Sequence, residues 1–174
     1  KAIEGVLIIR DIEYVGSFGC SDPEITKIYD TAAYTAHLNM QEYMWDGIKR
    51  DRLVWIGDMH PEVMTICSVF GDNEVVPRSL DSVRDVTPLT AKSEGQRAMW
   101  MNGVPSYTIW WLMCQRDYYM QNGNLEYLKE QKEYIKELAP VLCSLVKDDG
   151  SENFPEWRFL DWPTNDDPVA KHCG

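Results

Sequence analysis

The sequence of 174 residues lacks three features that mark common classes of protein. Its five cysteines are widely spaced, with no Cys-x-x-Cys pair, which argues against a disulfide framework and a zinc site. No basic stretch offsets a net charge of −11, so a phosphate backbone would be repelled and no nucleic-acid partner is expected. No apolar run approaches the roughly 20 residues of a membrane helix, so no membrane partner is expected either.

Hydrophobic residues make up 44% of the chain, enough for one domain with a substantial core. Their spacing is mostly helical and predicts a mainly α fold of paired antiparallel helices with short turns. Start and stop signals predict helices from Ser21–Glu24 to about Tyr43, over Pro61–Phe70, Glu74–Val86 and Tyr107–Gln121, and from Asn124 onward with a kink at Pro140.

Residues 5–16 differ from the rest because they are β-branched and bounded by glycines, which predicts one or two strands. Few other stretches could pair with them. We therefore interpret residues 1–20 as a short β segment at the junction with a preceding β domain.

The stretch from Trp45 to Asp58 concentrates the residues best suited to chemistry. Gly47 and Gly57 disfavour a continuous helix, so a curled loop should turn the side chains toward one point. Acids beside guanidinium groups bind sugar hydroxyls, and a flat aromatic face covers the apolar side of a sugar. The alternative is a salt-bridged surface loop with two buried tryptophans. The residues in question are Asp46, Lys49, Arg50, Asp51, Arg52, Trp55 and Asp58.

The run Asp46-x-x-x-Arg50-Asp51-Arg52-x-x-Trp55-x-Gly57-Asp58 resembles the signature of the α-L-rhamnosidases of glycoside hydrolase family 78. The junction at residues 16–23 and the element Leu160-Asp161-Trp162-Pro163 are also similar to that family. Many members carry Glu where Asp51 stands. The resemblance implies that residues 21–174 are the N-terminal part of an (α/α)6 toroid of helical hairpins.

For function, the resemblance implies inverting hydrolysis of terminal α-L-rhamnosyl residues from glycosides or polysaccharides, with no cofactor and no metal. Asp51 is the implied general acid, a role that requires its pKa to be raised overall. Asp46, Arg50 and Asp58 would hold sugar hydroxyls, and Trp55 and Trp162 would line the sugar site. The family's base is a Glu on a later helix, and no residue here matches it. We therefore expect the base beyond Gly174, marginal activity of this chain alone, and self-association through uncovered apolar helix faces.

Two other functions stay open: a six-hairpin glycosidase acting on another sugar, and a non-catalytic carbohydrate-binding or interaction module. Three patterns have a simpler interpretation. Asp58 and His60 lack a third metal ligand at a convincing spacing. The acids at 148–152 are interrupted by Gly150-Ser151, which disfavours a helical magnesium site. The aromatic residues between 107 and 119 are expected to fill a helix–helix core. The compartment is left open between cytoplasm, periplasm and secretion.

Overall fold

The computed structural model describes residues 2–89, 100–153 and 159. Within these ranges the chain is mainly helical, which confirms the predicted fold class; the placement of the helices in a toroid stays a prediction. No described helix is long and apolar enough to span a membrane. The helices are α1 (Pro23–Asn39), α2 (Ile56–Phe70), α3 (Val75–Asp85), α4 (Pro105–Asn122) and α5 (Leu125–Cys143), with a π-helical turn at Gly47–Asp51 and a 3-10 turn at Met101–Gly103.

Two predicted helix starts have the capping chemistry that the sequence indicates. The Asp22 side chain accepts a hydrogen bond from the Glu24 backbone N at 2.9 Å, at the beginning of α1. Asn124 accepts one from the Tyr127 backbone N at 3.0 Å, at the beginning of α5. Between α4 and α5, Gly123 has a φ of 70°, a left-handed conformation that glycine adopts without steric cost.

Two helix boundaries differ from the prediction because distant contacts determine them. α1 ends at Asn39 rather than about Tyr43, since residues 40–44 form a tight turn closed by an antiparallel bridge. α2 begins at Ile56 rather than Pro61. Asn102 accepts a hydrogen bond from the Ile56 backbone N at 3.0 Å and donates one to the Val54 carbonyl at 2.9 Å. This amide satisfies the backbone just before α2, and Pro61 lies inside the helix.

The core forms mainly where α2 packs against α4. Trp111 is fully buried and donates a hydrogen bond from Nε1 to the Leu80 carbonyl at 3.1 Å, which ties α4 to α3. Burial raises the pKa of the Cys114 thiol to about 12, so this cysteine serves packing. Cys143 sits in a similarly apolar helical sequence, which predicts a core residue, but it is exposed. Other buried core residues are Met59, Val63, Ile66, Leu80, Met101 and Tyr118.

Residues 2–20 contain no β-strand, in contrast to the predicted β segment, because they contact the ends of helices and not another strand. The backbone N atoms of Val15 and Gly16 both donate to the Val69 carbonyl, at 2.8 and 2.9 Å. His37 is buried, and its Nδ1 lies 3.0 Å from the Tyr14 hydroxyl. A junction with a preceding β domain and self-association stay predictions. Large exposed apolar side chains in this part of the chain include Ile3, Val6, Leu7, Ile8, Val15, Phe18, Ile25 and Ile28.

Candidate active site

The central stretch forms a short π-helical turn with unusual backbone geometry at both ends. Gly47 has a φ of 67° and Arg52 a φ of 52°, so a non-glycine residue occupies the left-handed region. An antiparallel bridge, with the Asp46 backbone N 2.9 Å from the Leu53 carbonyl, closes the turn. The loop that the two glycines predicted is therefore a compact turn, closed by this bridge, that carries charged side chains.

This turn and the start of α2 border an open cavity of about 540 Å³, within the size range of ligand pockets. Its lining includes the five described residues that were expected to act on a sugar, Asp46, Arg50, Asp51, Trp55 and Asp58, whereas Lys49 and Arg52 of the same stretch do not line it. Trp162, the sixth residue predicted to line the sugar site, lies outside the described residues. The structure thus brings these five side chains together at one cavity, while their roles stay predictions. The lining residues are Asp46, Gly47, Arg50, Asp51, Trp55, Gly57, Asp58, Tyr107, Trp110 and Phe159.

Asp51 is held by its neighbour Arg50. Arg50 Nε lies 2.7 Å from Asp51 Oδ1, and Arg50 Nη2 lies 3.3 Å from Oδ2. The Trp55 indole N also donates to Oδ2 at 3.3 Å. The hydrogen bonds and charge of Arg50, with help from Trp55, lower the pKa of Asp51 despite the opposing effect of burial. This arrangement favours the ionised carboxylate, the opposite of what a general acid needs before it acts.

Glu62 has the opposite environment. It lies one helical turn after Asp58 on α2 and lines an adjoining cavity of about 410 Å³ together with Asp46 and Gly47. Burial, reinforced by the charges of Asp58 and Asp46, raises the pKa of Glu62 to about 8. Glu62 is therefore mostly protonated at neutral pH. Glu62 is not predictable from a helix that begins at Pro61, because its i,i+4 relation to Asp58 exists only when α2 begins at Ile56.

Aromatic side chains form one wall of the cavity, beside the turn. Trp55 meets Tyr107 edge to face with ring centres 6.2 Å apart, and Tyr107 meets Phe159 at 5.9 Å. Tyr107 approaches the backbone of Gly57 so closely that a Cβ atom there would lie 2.6 Å from its Cζ. Trp110 is 38% exposed and borders the cavity, although the sequence analysis placed it in the core. Consecutive helical residues point about 100° apart, so the two adjacent tryptophans Trp110 and Trp111 could be expected to face different surroundings.

The family model for the bacterial α-L-rhamnosidase six-hairpin glycosidase domain matches residues 13–173. The chain belongs to this family. A crystal structure of a rhamnosidase of glycoside hydrolase family 78 from Bacillus sp. GL1 is also similar, with 27% sequence identity and a TM-score of 0.72. The match covers 88% of this chain and 16% of that one, so this chain spans a small part of the solved protein's length. The comparison with curated proteins gave no match.

In this six-hairpin glycosidase domain, one further cluster lies beside the cavity. His60 Nε2 is 3.0 Å from Asp117 Oδ2, and the His60 ring lies 4.7 Å from the Trp110 ring. The described residues contain no group of three or more His, Cys, Asp or Glu side chains placed to hold a metal ion. His60 thus faces Asp117 and Trp110.

Proposed function

We propose that this domain hydrolyses terminal α-L-rhamnosyl residues of glycosides or polysaccharides by an inverting acid/base mechanism. One observation carries the proposal: acidic side chains, a guanidinium group and an aromatic wall converge on a single cavity in a chain of the rhamnosidase family. Acids and Arg bind hydroxyls through charge-assisted hydrogen bonds, and the aromatic wall suits the apolar face and methyl group of a deoxysugar.

In this proposal Asp51 is the general acid, and the sugar itself creates the required pKa. The Arg50 side chain is 86% exposed, so it can turn from Asp51 toward a sugar hydroxyl at little cost. A bound sugar would also displace water from Asp51. Both changes raise the pKa of Asp51, because the carboxylate loses a cation and part of its hydration. Proton donation would thus be coupled to substrate binding.

Asp46, Arg50 and Asp58 bind hydroxyl groups in this proposal, while Trp55, with Tyr107 and Trp110, packs against the ring and methyl group. Inversion also needs a second carboxylate that activates water on the opposite face of the sugar, at roughly 6.5 to 9.5 Å from the acid. We expect that base on a later helix, as the family resemblance implies. Trp162, which lies outside the described residues, stays a predicted contributor to the sugar site.

Glu62 is the competing proton donor, because its raised pKa already keeps it protonated at neutral pH. A pair of carboxyl groups with separated pKa values is the usual arrangement for acid/base catalysis. Glu62, however, lines the adjoining cavity, whereas Asp51 lies beside the aromatic wall. We therefore assign the donor role to Asp51 and treat Glu62 as the control that tests it.

The decisive experiment measures turnover of an aryl α-L-rhamnoside by the full-length gene product, with aryl glycosides of other sugars alongside. Binding of L-rhamnose to the 174-residue chain is measured separately by calorimetry. We expect selective hydrolysis of the rhamnoside, and rhamnose binding with at most marginal turnover by the chain alone. Preference for another sugar would support a different six-hairpin glycosidase. Binding without turnover in the full-length protein would support a non-catalytic module.

A further inference from the structure

We propose that His60 and Asp117 form a positioning pair that holds the Trp110 indole in the cavity wall and thereby tunes affinity for the ligand. The identity of that ligand as a rhamnoside rests on the proposed function. The positioning of Trp110 is a separate claim about the protein alone.

The first step concerns Asp117, whose side chain is 10% exposed and uses both carboxyl oxygens. Its Oδ1 accepts from Arg116 Nη1 at 2.7 Å, and its Oδ2 lies 3.0 Å from His60 Nε2. A buried carboxylate is costly unless it is paired, so its position is strongly fixed by these two contacts. Asp117 therefore offers a firm anchor on α4 for a side chain that comes from α2.

The second step concerns the orientation of the imidazole. Because its partner is a carboxylate, His60 Nε2 must carry the hydrogen of this hydrogen bond. The bond fixes both the tautomer and the rotation of the ring. The ring so oriented lies against Trp110, with centres 4.7 Å apart and planes inclined at 42°.

The third step concerns Trp110, which needs such support because its indole is partly exposed at the cavity. A half-exposed tryptophan can change rotamer, and an indole that is free to move would lose entropy on binding a sugar. Contact with His60 restricts it in advance. His60 follows Asp58 by two residues, so the start of α2 supplies both a cavity acid and the support for the opposite wall.

The competing explanation is a simple brace between α2 and α4, in which the Trp110 contact is incidental. His60→Gln separates the two, because a glutamine amide can still donate to Asp117 while the aromatic ring over Trp110 is lost. His60→Ala removes both contacts. Asp117→Asn keeps an acceptor oxygen and is the conservative rescue of Asp117→Ala.

The experiment uses fluorine NMR of the chain labelled with 5-fluorotryptophan, which gives one resonance for each of the seven tryptophans. Trp110→Phe identifies the Trp110 signal, and the other six report on folding. We expect His60→Gln and His60→Ala to broaden the Trp110 signal alone, because the released indole exchanges between rotamers; a change of chemical shift without broadening reports only the lost ring current of the imidazole. Asp117→Asn should change it less than Asp117→Ala does. Glu126→Ala, which breaks the exposed ion pair with Lys129 on α5, is the control and should change none of the signals.

An unchanged linewidth of the Trp110 signal in His60→Gln would overturn the proposal in favour of the brace. A uniform shift of all tryptophan signals in that variant would do the same. If Asp117→Ala fails to fold, the two His60 variants and Asp117→Asn still decide the question.

A second arm adds L-rhamnose to the same samples. Wild-type Trp110 should shift on binding, and His60→Gln should weaken affinity by roughly tenfold, since a misplaced wall group costs binding at a distance from the chemistry. In the full-length enzyme this appears as a raised KM with kcat largely retained, because the wall contacts sugar before and during the reaction. No effect of rhamnose on the wild type would contradict the proposed function, while the dependence of Trp110 on His60 is judged by the first arm.

Discussion

Asp51 lies within the sequence motif Asp46–Asp58 and Glu62 lies four residues after it, and the surroundings of these two carboxyl groups differ in kind. Asp51 lies on the π-helical turn, paired with an exposed arginine that lowers its pKa. Glu62 lies on α2, largely removed from water and near two other acids that raise its pKa. The pKa of Asp51 depends mainly on one exposed cation, whereas the pKa of Glu62 depends on the burial of its side chain on α2.

This difference determines which of the two carboxyl groups can change its protonation when a ligand binds. In the proposed function a sugar displaces water and Arg50 from Asp51, so the protonation of Asp51 changes during the catalytic cycle. Glu62 owes its protonation to burial, and a ligand in the neighbouring cavity changes that little. A neutral Glu62 also limits repulsion among the acids near Asp46 and Asp58. The predictions below test this contrast, beginning with the largest expected effect.

Replacement of Asp51 by Asn should lower kcat of the full-length enzyme by roughly 10² to 10⁴ on a natural glycoside, the usual range for one general acid. An aryl rhamnoside should suffer much less, since its leaving group needs little protonation. Steady-state kinetics on both substrates measures the difference, and Asp148→Asn on the exposed loop is the control. Equal losses on both substrates would assign Asp51 a structural role, and a larger loss in Glu62→Gln would exchange the two assignments.

Alanine at Gly57 should destabilise the domain by about 2 to 3 kcal/mol, a cost typical of overpacking. The added Cβ would collide with Tyr107, which is buried and cannot move aside easily. Alanine at Gly47 meets no atom within 4 Å and has only the strain of a φ of 67°, so it should cost about 1 kcal/mol. Urea unfolding measures the free energy of unfolding of both variants, and so compares the tightly packed backbone at Gly57 with the open turn at Gly47. The reverse order would contradict the described packing of Tyr107.

Glu62→Gln should flatten the dependence of stability on pH. The folded pKa of Glu62 is about 8 against an ordinary value of 4.5, so folding favours the protonated form. Its stabilising contribution is complete below pH 4.5 and is lost as pH rises through about 8. Above that range the variant should exceed the wild type by about 1 to 2 kcal/mol, a figure reduced for the partial exposure of the site. Urea titrations from pH 4 to pH 9 would show this, and parallel curves for both proteins would refute it.

Arg50→Gln should have the smallest effect, a rise in the pKa of Asp51 toward its ordinary value without a large change in stability. The side chain is mostly exposed, so little packing is lost. Carbon-13 NMR of the labelled Asp51 carboxyl group measures the titration directly, with Lys49→Gln on the same turn as the control. An unchanged titration in Arg50→Gln would show that Arg50 does not set the charge of Asp51.

Much of the helical architecture follows from local chemistry that the sequence displays. Asp22 and Asn124 are capping residues, and Gly123 ends α4, so three boundaries were predictable within a few residues. The start of α2 was not, because it depends on Asn102, a residue far along the chain. The absence of strands in residues 2–20 has a similar origin, since β-branched residues form strands only where a partner is present.

The candidate site was predictable in its charged part and less so in its aromatic part. The residues from Asp46 to Asp58 are close in sequence, so one glycine-broken turn was enough to predict their convergence. Tyr107 and Trp110 come from elsewhere in the chain and reach the cavity through the packing of α4 on α2, and Phe159 reaches it by packing against Tyr107. The pKa of Glu62 is likewise a product of tertiary burial, which no local pattern reports.

The side-chain amide of Asn102, which bridges Val54 and Ile56, also affects the chemical stability of this protein during storage. Asn102 precedes Gly103, and an asparagine followed by glycine is especially prone to deamidation because the small neighbour does not hinder ring closure. Conversion to aspartate would replace the donor that faces the Val54 carbonyl with an acceptor. The first turn of α2, which carries Asp58, would then lose part of its support. Peptide mapping of stored protein, compared with its residual rhamnose binding, would show whether this one chemical change limits its working lifetime.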